Sequence, residues 1–352
     1  TNSESQMPTT VATTSTQVTS LATSTVEATT QAPTPIPTTV ATTAAPTPAP
    51  VGLEPERTNL RGELAAEGQT LARPVAVMID NHPDARPQAG LRDADIVFEI
   101  PVEGGLTRYM AIFQSSTPTV VGPVRSARDA YLDRILEFDS VYVHIGGSPT
   151  ADERLATDKY EDINGSGRVI WRKNDTGKVA PHNAYTNISL VRKYMANIGW
   201  HEEPVYEKYS FYQEGHQPGG APANQVEIEA TSETRTAYKY LADKGVYTRS
   251  KDGKEDLDEN DSKPLEVTNI LVQKTDITAG YGGYPTLRQI PMIGKGDGYY
   301  ISMGEIIPIT WMKDRLEGLT RYYKVDGSEL ILNPGQTWIQ VIDLAMAVSA
   351  TD

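Results

Sequence analysis

The stretch RPVAVMIDNHPDARPQAGLRDADIVFEIPVEGGLTRYMAIFQS, Arg73 to Ser115, holds three apolar runs separated by loops rich in Pro, Asp and Gly. PVAVMID (74–80), ADIVFEI (94–100) and TRYMAIFQS (107–115) each read as a buried strand. Just beyond, SARDAYLDRILEFD (126–139) reads as a helix with Ser126 or Asp129 near its cap. Its apolar stripe is Tyr131, Leu132, Ile135, Leu136 and Phe138. SVYVHIGG (140–147) adds a strand, and NISLVRKYMANIGW (187–200) a helix capped by Asn187 or Ser189 and stopped by Gly199. An α/β N-terminal domain over residues 57–212, with a parallel sheet, is the expectation.

A Pro- and Gly-rich linker, QEGHQPGGAPANQ (213–225), comes next. Beyond it lie short strand-like runs broken by turn signals, among them KDGK (251–254) and VDGS (325–328). They predict a smaller, mainly-β C-terminal domain over 226–343, with 344–352 as a tail. The acidic run DLDEND (256–261) lacks the Gly and Glu that a calcium loop needs, so a solvated hairpin tip is expected there.

Residues 1–56 form a low-complexity Thr/Pro-rich extended arm without Lys or Arg. Such a segment buries too little apolar surface to offset its ordering entropy. Val18 to Ala28 nonetheless alternates with a period of two, which suits an extended strand. Prolines 33, 35, 37, 46, 48 and 50 stiffen the second half of the arm. Val18, Leu21, Val26, Ile36 and Val40 are the expected assembly contacts. Thr34, Thr38, Thr39, Thr42, Thr43 and Thr47 are candidates for O-glycosylation.

The chain has 352 residues, 32 Lys plus Arg against 46 Asp plus Glu, and a formal charge of −14. That balance argues against nucleic acid or an anionic membrane as partner. With no cysteine, disulfides, thiolate nucleophiles and Cys-ligated metals are excluded. No apolar run reaches the roughly 18 residues of a membrane span. The Thr-rich start, without Met, leads to the expectation that an export signal has been removed, with a lipidated Cys upstream as a hypothesis.

Polar groups gather where the N-domain strands end: Asp80 and His82, Glu99 and Glu103, then His144. The segment GPVRSAR (122–128) brings Arg125, Ser126 and Arg128, the third strand brings Arg108, and APHNAYT (180–186) brings His182 and Asn183. Together these residues can hold a carboxylate or phosphate. The arginines can equally be internal counterions for Asp80, Glu99 and Glu103, and this structural network is the favoured expectation. His82, His144 and His182 show no HxH or HxxxH spacing, so no metal is expected; nor is any other cofactor. No G-x-S-x-G elbow accompanies Ser126.

The Arg73–Ser115 stretch, GPVRSARDAYLD (122–133), YVHIGGSP (142–149), APHNAYT and LNPGQTWIQVI (332–342) resemble the YerB-like family of bacterial envelope lipoproteins over about residues 73–343. The resemblance implies a two-domain exported protein, often lipid-anchored, with no established activity and no catalytic residues to transfer.

Two functions fit these observations. The first is a non-enzymatic extracellular protein of the bacterial cell surface that self-assembles head to tail as a homo-oligomer. Its arm, carrying O-linked glycans, would add as a strand to a neighbouring subunit and build a fibril. About 50 arm residues at ~3.1 Å each reach ~150 Å, against a body of ~50 Å. The alternative is a membrane-tethered lipoprotein whose N-domain pocket binds or processes an anionic cell-wall component.

Overall fold

Strands β1 (Val75–Ile79), β2 (Ile96–Pro101) and β3 (Thr107–Phe113) form where the apolar runs predict them, and every residue in them is buried. The computed structural model describes residues 58–67, 70–157 and 159–352. The arm positions Val18, Leu21, Val26, Ile36 and Val40, and the six candidate threonines, lie outside the described residues.

The three strands read as unbroken apolar runs because both faces of their sheet are covered. Alternate residues Ala76, Met78, Phe98, Ile100, Met110 and Ile112 enter one core layer, together with Tyr131, Leu132 and Ile135. The intervening Val75, Val77, Ile79, Val97, Ala111 and Phe113 enter the other, with Ile188, Val191, Val226, Ile228, Tyr238 and Tyr247.

Helix α1 spans Asp129–Ile135, and a 3₁₀ turn continues it over Leu136–Phe138. Of the two expected starts it takes the later, at Asp129, because residues 124–127 are tied as extended chain. Arg125 N donates to the Met78 carbonyl at 2.9 Å, and Ala127 N to that of Gly146 at 2.9 Å. α2, Pro149–Leu155, was not expected, although Ser148 at its N-cap and Pro149 in its first turn are a helix-start signal. α3, Ile188–Ile198, has the expected Asn187 cap, whose Oδ1 accepts from Leu190 N at 3.0 Å, and ends at Gly199 in the left-handed region (φ 78°).

The expected parallel sheet is corrected: the sheet is mixed. β2 pairs β3 and β3 pairs β1 antiparallel, while β4 (Val141–His144) joins β1 and β5 (Asp162–Asn164) joins β4 in parallel. The short loop 102–106 joins β2 to β3 as a hairpin, which makes that pair antiparallel. Strand Thr337–Asp343, near the end of the chain, lies between β2 and Asn269–Thr275, parallel to both. Strands Gly294–Ser302, Glu305–Lys313 and Arg321–Lys324 continue the same sheet outward. The two sequence domains thus share one sheet, and the shared strand covers an edge of β2 that would otherwise present six buried residues with unpaired backbone groups.

A second, antiparallel sheet is built from Gln225–Glu229, Arg235–Leu241, Val246–Lys251 and Lys254–Glu255. Val348–Thr351, expected as part of a tail, pairs with Gln225–Glu229 as a further strand of it. The acidic run 256–261 is likewise not a solvated tip. Asp258 is buried and accepts from the N–H groups of Gly90 and Arg92 at 3.0 Å each. Arg92 pairs with Asp261, and Lys173 and Lys178 pair with Glu259, so the run docks onto the N-terminal half.

Candidate functional site

β1 ends at Ile79, and two other segments are laced to the chain that leaves it. Asp80 N donates to the Pro123 carbonyl at 2.8 Å, and Val124 N to that of Ala184 at 2.6 Å. Segments 122–127 and 182–186 are thereby held beside the loop 80–82, which brings Arg125 and His182 to Asp80. The peptide bonds before Pro87, Pro123 and Pro181 are cis.

Asp80 is the hub. Its Oδ2 lies 2.7 Å from His182 Nδ1 and 3.0 Å from Arg125 Nε, and its Oδ1 accepts from His82 N at 3.0 Å. The His82 ring stacks on that of His182 with centroids 4.7 Å apart. Asn81 turns the other way. Its Nδ2 donates to Thr107 Oγ1 at 2.7 Å, and its Oδ1 accepts from Arg86 Nε at 3.2 Å.

Next to this hub lie Glu103, Arg108 and Arg128. Arg128 Nε bonds Glu103 Oε1 at 2.7 Å, and Arg108 donates to the Ser126 carbonyl at 2.5 Å. Burial raises the Glu103 carboxyl, but the Arg128 bond and charge outweigh it and leave it below its ordinary value. Arg108 is 8 % exposed, and among the described residues no carboxylate stands at ion-pair distance from it. Burial, with added repulsion from Arg128 and Arg125, pushes its guanidinium down to about 10. Tyr142 Oη, fully buried and with no hydrogen-bond partner among the described residues, feels the charge of both Arg108 and Arg128.

Of the sequence-predicted residues, Asp80, His82, Arg125 and His182 converge, and Glu103, Arg108, Arg128 and the Ser126 carbonyl adjoin them. Three others are engaged elsewhere. His144 is buried, with Nε2 at 3.0 Å from Asp162 and Nδ1 at 2.8 Å from the Gly146 carbonyl. Asn183 joins Asn174 and Arg172, each at 2.9 Å.

Glu99, the third, is the clearest correction. On paired strands, Glu99 stands opposite Tyr109 and Arg108 opposite Ile100. Glu99 and Arg108 therefore project from opposite faces of the sheet, and Arg108 cannot be its counterion. Glu99 instead meets Arg249 at 2.5 Å, Lys251, and Thr107 Oγ1 at 2.6 Å, all fully buried. Arg249 also sits 4.3 Å from the Trp338 ring centre. Burial would raise the Glu99 carboxyl, but Lys251 and Arg249 reverse this and hold it well below the usual carboxylate range. Lys251, in turn, is pushed down to about 8 by burial. Arg249, Lys251 and Asp84 escaped the sequence reading; His82-Pro83-Asp84, a Pro-initiated turn, was the available signal for Asp84.

The same two-part organisation occurs in known proteins. Residues 60–201 match the family described as "Protein of unknown function (DUF3048) N-terminal domain", and residues 226–339 match its C-terminal counterpart. Over 289 residues the chain is 35% identical to "Putative lipoprotein YerB" of Bacillus subtilis (strain 168), covering 80% of this chain and 85% of that one. The chain belongs to the YerB-like, two-domain DUF3048 family. The crystal structure of YerB from Bacillus subtilis superposes with a TM-score of 0.74 at 33% identity, covering 83% of this chain and 99% of that one. In this DUF3048 member the boundary between the two matched regions is bridged by the shared sheet and by the Glu99 cluster, to which the first region supplies Glu99 and the second Arg249 and Lys251. No helix of the described residues is long and apolar enough to cross a membrane.

Proposed function

We propose that this protein binds an anionic component of the cell envelope, one bearing a carboxylate or phosphate, at the face formed by Arg108, Arg125 and Arg128. The observation that carries the reading is Arg108, a buried cation with no carboxylate at ion-pair distance among the described residues, set beside two further arginines. An uncompensated buried charge is costly unless something pairs with it. Here three arginines share Asp80 and Glu103, so an oxyanion arriving between them would supply the missing charge. The terminal nitrogens of Arg125 have no partner among the described residues and are free to fork onto it. The relative's name as a lipoprotein supports an envelope setting.

The test is calorimetric titration with soluble peptidoglycan fragments and, separately, with phosphate-bearing wall-polymer fragments. Binding of one class is expected, weakened about tenfold or more in Arg125→Ala and in Arg108→Met, in line with the loss of a charge-assisted bond. Unchanged affinity in both variants, or no binding of either class by the native chain, rejects the reading.

The self-assembly reading of the arm rests on its reach and on its alternating segment. Deleting residues 1–50 is expected to convert assemblies into monomers on size-exclusion chromatography with light scattering. Large assemblies that persist without the arm would remove that role.

A further inference from the structure

The loop leaving β1 and the segment that carries His182 meet in a constellation that the arginine face does not use. One ligand atom from each of His82, Asp84 and His182 lies within 4.8 Å of the others. His82 Nδ1 and Asp84 Oδ2 are 3.5 Å apart. That is close to the separation of two ligands on a tetrahedral ion, since bonds of about 2.0–2.2 Å place neighbouring donors about 3.3–3.5 Å apart. Drawing His182 into the same shell requires a closure of about 1 Å. The mobile partners in such a closure are His82 and Asp84, whose side chains are 37% and 73% exposed.

Asp80 supplies what surrounds such a site. Its Oδ2 takes the Nδ1 of His182 at 2.7 Å, the carboxylate–histidine arrangement that fixes an imidazole tautomer and leaves Nε2 as the donor. Its Oδ1 holds the backbone N–H of His82 at 3.0 Å, so one buried carboxylate positions both histidines. Among the described residues, no group hydrogen-bonds Nε2 of either ring. A purely structural role explains part of this. His82 Nδ1 caps the 3₁₀ turn Pro83–Ala85 by accepting from Asp84 N at 3.2 Å, a bond that its lone pair gives up when it ligates an ion. It does not explain why a second imidazole, carried by a distant loop, is set against the first with only 21° between the ring planes.

Two imidazoles and one carboxylate are a donor set for a borderline divalent ion rather than for calcium or magnesium, which take oxygen ligands throughout. Access comes from solvent directly, since the His82 and Asp84 side chains are exposed, and Asp84 also borders a surface cavity of about 610 Å³. We propose that His82, Asp84 and His182 bind one divalent transition-metal ion, with Asp80 as the positioning residue behind them. The site does not depend on the arginine face binding an anion.

The test uses tag-free full-length chain, stripped with chelator and then dialysed against zinc chloride alone. One zinc per chain is expected. His182→Ala and His82→Ala should each weaken binding by about tenfold or more, and Asp80→Asn by about 10–100-fold, the range for a group that supports a metal-bound histidine. Cobalt in place of zinc should give a visible d–d band that is absent in the His82→Ala/His182→Ala double variant. His82 is partly exposed, so its variants are expected to keep the native circular dichroism. Failure of the native chain to retain stoichiometric zinc, or equal zinc and cobalt signals in the double variant, overturns the proposal. Because no envelope fragment is present, either result leaves the anion-binding test untouched.

Discussion

Two clusters of charge lie at the ends of the same strands and differ in one respect. Around Glu99, the carboxylate meets Arg249, Lys251 and the Thr107 hydroxyl, all fully buried, and Asp256 supplies Arg249 with a second carboxylate, so two cations face two anions. Around Arg108, three guanidinium groups share Asp80 and Glu103, and Arg125 and Arg128 keep 24% and 18% of their side chains in solvent. The first cluster is internally satisfied and spans the two matched regions; the second carries surplus positive charge and opens outward. A saturated ionic cluster has nothing left to offer a ligand, whereas an undersaturated one does. Both are built from basic side chains and carboxylates, so the distinction lies in how each charge is matched.

The largest test of this contrast is Glu99→Ala. It leaves Lys251 buried without its carboxylate and Arg249 with Asp256 alone, and breaking such a pair costs about 3–5 kcal/mol. Urea denaturation should show a loss of stability of that size, with loss of contact between the regions that supply Glu99 and Arg249. A change below about 1 kcal/mol would mean that the cluster is not a structural seam.

Acid provides a smaller perturbation of the same seam. The folded-state pKa of Glu99 lies below its ordinary value of 4.5. Its pairing therefore stabilises the fold above pH 4.5, and that contribution is lost as pH falls below 4.5 toward the depressed folded value. The native urea midpoint should drop more steeply below pH 4.5 than that of Glu99→Gln, which has no proton to take up there. Parallel slopes would show that Glu99 is not the group responsible.

The range of each signal determines how much of this was legible in the sequence. β1, β2 and β3 were legible because VAVMI, IVFEIP and TRYMAIF are apolar on both faces, and α3 because Asn187 and Gly199 mark its ends. The insertion of Thr337–Asp343 beside β2 was not, since nothing local to either strand names a partner more than 200 residues away. Val348–Thr351 was lost for the same reason. In the site, Asp80, His82, Arg125 and His182 could be found as polar groups where strands end, but the same signal selected His144, which bonds inward to Asp162. Glu99 was grouped with Arg108, Arg125 and Arg128, whereas its partners, Arg249 and Lys251, come from the other region. The strand alternation that sets Arg108 on the opposite face becomes decisive only once the β2–β3 register is known.

Arg108→Met is the smallest expected effect and the sharpest discriminator. Methionine keeps the apolar stem and removes a buried cation that Arg125 and Arg128 repel, which favours the fold. It also orphans the Ser126 carbonyl, which loses a bond worth about 1 kcal/mol. The two nearly cancel, so thermal and urea stability should shift by no more than about 1 kcal/mol in either direction. A residue held for stability cannot behave in this way. If Arg108→Met instead destabilised the chain as much as Glu99→Ala does, Arg108 would belong to the frame, and the contrast between a saturated and an open cluster would collapse. If stability holds while affinity for the envelope fragment falls, the buried cation is present for something outside the chain.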